Sequence, residues 1–133
     1  MKLKKIHKQR LLKLARFLRN QVAKREDKFE ITLYDHGNWM RADKNGHDHK
    51  KASLKCGTPA CAIGWATAIF PLYMNKRDQI VKTGSRGGST IKTVKSFFGV
   101  DYSEFEGGRL FFSGDYRTAE REANMIEDYV QTR

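Results

Sequence analysis

Apolar positions are regularly spaced at the start of the chain. Leu3, His7, Leu11, Leu14, Leu18 and Val22 recur at intervals of three and four, and Ile6, Ala15 and Phe17 widen the stripe. That period predicts an amphipathic helix over residues 2–25, docked on a core through the stripe. Lys2, Lys4, Lys5, Lys8, Arg10, Lys13, Arg16 and Arg19 are expected on the outward arc. The period then changes. Phe29, Ile31 and Leu33 alternate with Glu30, Thr32 and Tyr34, which leaves room for one short strand. Residues 35–51 are rich in turn formers and charge and read as the longest polar loop.

Residues 56–75 carry no charge at all. Thr58 suits an N-cap, Pro59 suits the first helical position, and Pro71 stops the run, so a central helix is predicted over 59–70. Ala60, Gly64 and Ala68 give it a small-residue stripe open to close approach by another helix, with Ile63, Trp65, Ile69 and Phe70 as bulk. A helix apolar on all sides belongs inside a domain. A basic Gly/Ser connector follows over 76–89, with a short turn at Gln79-Ile-Val81. Ser89 or Thr90 then caps a helix over 91–98, with Ile91, Val94, Phe97 and Phe98 inward and Gly99 as its stop. Ser103 and Glu106 resemble a capping box before Leu110 and Phe111, although Gly107-Gly108 weakens it. Thr118 caps a last helix over 119–131 that buries Ala119, Ala123, Ile126 and Val130.

The fold class expected is mainly α. One domain, 1–133, holds a basic N-terminal helix (1–28) and a core (29–133), with about five helices around the central one. Length supports this, since 133 residues suffice for a single core without staples.

Charge adds a class of partner to this outline only through its distribution. The net charge is +11. Residues 1–28 hold eleven Lys/Arg against two acidic residues, whereas residues 101–133 hold four against eight. A basic front favours polyanions: nucleic acid, an acidic protein surface or anionic lipid. The basic start runs into an amphipathic pattern and not an apolar signal core, and prolines cut the uncharged run to about 12 residues, too short to span a bilayer. No membrane association and free thiols in a reducing cytoplasm are expected.

At Cys56-Gly-Thr-Pro-Ala-Cys-Ala-Ile-Gly-Trp-Ala66 the chain resembles a family of small proteins common in bacteriophage and prophage genomes. The family pattern is C-G-T-x-A-C-A-x-G-x-A, then a Pro, a helix ending Phe-Phe-Gly, and a Leu-Phe pair. Pro71, Phe97-Phe98-Gly99-Val100 and Leu110-Phe111 supply these here, and Phe29-Glu-Ile-Thr32 resembles a Phe-Asp-Met segment ahead of the cysteines. The match covers residues 29–130. It implies a phage origin, residence in the cytoplasm of the infected bacterial host, and a shared fold. It implies no particular activity. The basic N-terminal helix and the His-rich insert around 47–49 depart from the family pattern.

Chemistry-bearing residues are few. His47, His49, Cys56 and Cys61 give H-x-H-x6-C-x4-C, four possible soft ligands, although structural zinc sites favour C-x2-C knuckles. A disulfide between Cys56 and Cys61 is a further alternative. So is a nucleophilic Cys56 at a helix N-terminus, with His36, His47 or His49 as base and Asp35 or Asp48 orienting it. The plainer reading is two buried thiols and solvated loop histidines, with no metal, no cofactor and no catalysis. Residues 85–90 precede a helix, so an anion could be held there with Arg86 and Lys92 nearby, or the segment is a linker with a capping Ser. The strongest signal is the basic helix itself: Lys4, Lys5, Lys8, Arg10, Lys13, Arg16 and Arg19. These residues suit an acidic host protein that the chain inhibits or redirects, with Trp39, Phe111 and Phe112 as aromatic anchors. The same residues suit sequence-independent contact with nucleic-acid phosphates.

Overall fold

The computed structural model of the protein describes residues 3–36, 39, 51–54, 59–85, 88–112 and 116–133. The first helical body comprises α1 (Lys5–Phe17), a π-helical stretch (Leu18–Ala23) and α2 (Lys24–Phe29). Leu14, Leu18 and Val22 line the inward side of this body. All three are fully buried.

Glu30 ends α2 in a left-handed conformation (φ 53°). The Glu26 carboxylate then accepts the backbone N–H groups of Leu33 (2.8 Å) and Tyr34 (3.0 Å), clamping the reversal. The alternation at 29–34 makes no regular strand. Phe29 and Ile31 stay exposed, and among the described residues the segment pairs only as an isolated parallel bridge between Tyr34 and Ala60. The described strands lie elsewhere: β1 (Leu72–Met74) and β2 (Ile80–Lys82) form an antiparallel hairpin with Tyr73 opposite Val81. The Asn75 side chain accepts N–H groups from Arg77 and Gln79 and so fixes its turn. The expected turn at 79–81 is therefore the start of a strand.

The central helix is α3 (Ala62–Ile69), shorter than the predicted 59–70. The bridge at Ala60 explains the late start. Its N–H donates to Leu33 O and its carbonyl accepts from Asp35, which holds the backbone extended, and Cys61 becomes the N-cap residue in place of Thr58. Thr58 lies outside the described residues. The small-residue stripe receives backbone and not a helix: a Cβ on Gly64 would lie 1.5 Å from the Trp39 carbonyl oxygen. Burial is also incomplete, because Ala68 faces solvent. Trp65 donates to Leu33 O (2.7 Å) and anchors the reversal to α3.

In α4 (Thr90–Phe98), Ser89 accepts the Lys92 N–H (3.1 Å) and Gly99 closes the helix at φ 71°. Ile91, expected inward, is exposed. Thr90 takes the inward position because its hydroxyl accepts the Ile80 N–H and donates to Gln79. Before α5 (Phe105–Phe112) the expected Ser103/Glu106 box does not form; Asp101 accepts from both the N–H and hydroxyl of Ser103. The two glycines in α5 serve close approach. A Cβ at Gly107 would lie 2.3 Å from Asp101 O, and one at Gly108 2.8 Å from Tyr102 O. Thr118 caps α6 (Ala119–Gln131), and Ala119, Ala123, Ile126 and Val130 are buried as expected.

The result is a mainly α, single compact domain. Helix α6 packs on α1, on the π stretch and on α5, while α4 lies against another side of α1. Phe70, Phe97 and Phe98 meet edge-to-face in the core between these elements.

Candidate interaction surface

Helices α1 and α4 contain no carboxylate, and they pack against each other. Two contacts fix the pairing. His7 Nε2 donates to the Ser96 carbonyl (3.3 Å) at the C-terminal turn of α4. Arg10 donates to Phe97 O (2.9 Å), with its guanidinium 3.9 Å above the Phe97 ring. Burial holds the His7 imidazole below its ordinary pKa despite the Ser96 contact, and Arg10 and Lys4 add to the lowering.

The basic residues expected on one arc divide into two groups. Arg10 is turned inward onto α4. Arg19 is held by both carboxylate oxygens of Glu127 and by Asn124 on α6. That grip raises the Arg19 guanidinium pKa and holds the Glu127 carboxyl below its usual range. Both arginines are latches between helices, which corrects their placement on an outward arc. Lys4, Lys5, Lys13 and Arg16 remain exposed and Lys8 half-exposed, with Lys92 exposed on α4. None of these six forms an ion pair among the described residues. Lys13 lies 5.2 Å from the Phe70 ring, and Lys95, also on α4, is 3.6 Å from Asp101. Ile6 (46% exposed) and Ile91 (42%) add apolar surface to these helices.

Arg86, His47, His49 and Cys56 lie outside the described residues. Cys61 is free and buried, and burial pushes its thiol pKa up to about 12. At neutral pH it is a thiol, a poor nucleophile and a poor metal ligand. Among the described residues no group of three or more His, Cys, Asp or Glu is placed to hold a metal. The aromatic anchors are also reassigned. Phe111 is buried, and Phe112 meets Trp39 and Tyr102 edge-to-face (5.8 and 5.1 Å). Phe105 (77% exposed) and Tyr116 (87%) project instead.

A buried polar cluster has no counterpart in the sequence reading. Arg117 donates to Glu122 (2.6 Å) and to the carbonyls of Leu110 and Arg109, tying the end of α5 to α6. His36 Nδ1 lies 3.0 Å from the Tyr34 hydroxyl and 4.0 Å from Glu122. Burial, followed by Glu122 and Cys61, raises the Tyr34 pKa. The available signal was positional: Glu122 falls on the same helical stripe as Ala119, Ala123 and Ile126, where a carboxylate requires a buried partner.

No protein-family model, curated protein or solved structure is significantly similar to the chain. Among the described residues no helix is long and apolar enough to cross a membrane.

Proposed function

We propose that the protein is a non-enzymatic accessory protein that binds an acidic surface of a host protein through the α1–α4 face, and so inhibits or redirects it. The observation that carries this reading is a face built from two packed helices, neither of which contains a carboxylate. On it Lys4, Lys5, Lys8, Lys13, Arg16 and Lys92 have no internal ion pair among the described residues. Exposed Ile6 and Ile91 favour a protein partner over nucleic acid, because phosphate contacts make no use of apolar side chains. The resemblance around Cys56 to phage and prophage proteins supports a partner in the cytoplasm of an infected bacterium.

Capture from nuclease-treated host lysate tests the proposal. One stoichiometric protein should be retained, and should be released as salt rises. Capture that succeeds from untreated lysate and disappears after nuclease treatment would replace this reading with nucleic-acid binding.

A further inference from the structure

A groove of about 240 Å³ lies between α5 and α6, with Leu110 and Met125 as its apolar floor. It is smaller than the roughly 300–1,000 Å³ of small-molecule sites and suits one long side chain. Met125, Asp128, Tyr129 and Thr132 recur at spacings of three and four, a single stripe of α6. Asn124 and Glu127, which hold Arg19, lie on a different stripe, so the groove is separate from the α1–α6 contact.

The chemistry around the groove favours a cation. Arg133 lies 4.4 Å from the Tyr129 ring, pairs with Glu106 (2.5 Å) and is 3.9 Å from Glu104. Tyr129 also donates to Glu104 (3.3 Å). Here two carboxylates and an aromatic face already hold a guanidinium. Asp128, exposed on the groove wall, has no ion pair among the described residues. Arg109 also lines the groove, with its guanidinium 5.3 Å from the exposed Phe105 ring.

We infer that this groove is a second recognition site, which takes a lysine or arginine side chain from a basic peptide segment. The methylene stem lies on Leu110 and Met125, and the charged head reaches Asp128. With the α1–α4 face directed at acidic surfaces, the molecule would present two sites of opposite preference.

The test is an NMR titration of the isotope-labelled full chain with the capped tripeptides Gly-Lys-Gly, Gly-Arg-Gly, Gly-norleucine-Gly and Gly-Glu-Gly. The basic peptides should shift resonances of residues 105–112 and 125–133, and the norleucine and glutamate peptides should not. Asp128→Asn, at an exposed site, should weaken binding about threefold to fivefold with the folded spectrum retained. Arg133→Ala should strengthen it by a similar factor by freeing Glu106. Equal shifts with the glutamate peptide, shifts outside the groove, or an unchanged affinity in Asp128→Asn would overturn the inference. Concentration-dependent shifts in both α1 and the groove without peptide would also overturn it, by assigning the groove to a second copy's basic helix.

Discussion

The α1–α4 face and the α5–α6 end of the molecule use the same charged side chains in opposite ways. At the α5–α6 end cations are committed to the fold: Arg117 to Glu122 and two carbonyls, Arg133 to Glu106, and Arg19 to Glu127 on the far side of α6. On the α1–α4 face Arg10 and Lys95 are engaged with Phe97 O and Asp101, but Lys4, Lys5, Lys8, Lys13, Arg16 and Lys92 are surplus, because neither helix supplies a carboxylate. A count of lysines and arginines cannot separate the two kinds. Their distance from acidic groups in the folded chain does.

This contrast can be broken by substitution. Arg117→Ala takes the guanidinium partner away from the buried Glu122 carboxylate, and breaking such a pair costs about 3–5 kcal/mol. Urea denaturation should show that loss, with destabilisation at every protein concentration. Gly64→Ala drives a methyl group into the Trp39 carbonyl, and overpacking of this kind costs about 1–3 kcal/mol. Its melting temperature should fall while surface binding persists once folded. Arg19→Ala removes a half-exposed pair worth at most about 1 kcal/mol. Because Arg19 depresses the Glu127 pKa in the folded state, the pair stabilises fully above the ordinary carboxyl range and is lost as pH falls through the depressed value. The stability difference between Arg19→Ala and wild type should therefore be present at neutral pH and shrink in acid. Smallest per site are the Lys5→Glu, Lys13→Glu and Lys92→Glu changes, each of which should move stability by no more than about 0.5 kcal/mol. A large loss there would mean that the face cations serve the fold after all.

The helices were legible where local rules act alone. Ser89, Gly99 and Thr118 delimit α4 and α6 as their capping chemistry requires, and the apolar stripe of α6 is buried as spaced. Legibility failed where distant segments decide. Ala60 is held extended by Leu33 and Asp35, which delays α3 past a proline that looked like its first residue. Thr90 outcompetes Ile91 for the inward position because its hydroxyl finds Ile80 and Gln79. Of the candidate surface, the sequence showed which residues were basic but not which were already engaged. Nothing local distinguishes Arg10 and Arg19 from Arg16; the carbonyl of Phe97 and the carboxylate of Glu127 do.

The most direct measurement compares two variants of equal charge. One carries Lys5→Glu, Lys13→Glu and Lys92→Glu on the α1–α4 face; the other carries Lys24→Glu, Lys82→Glu and Arg121→Glu, all exposed positions outside α1 and α4. Quantitative mass spectrometry of nuclease-treated captures should show the partner lost from the first and retained by the second. Equal retention, or equal loss from both, would contradict a role for that face.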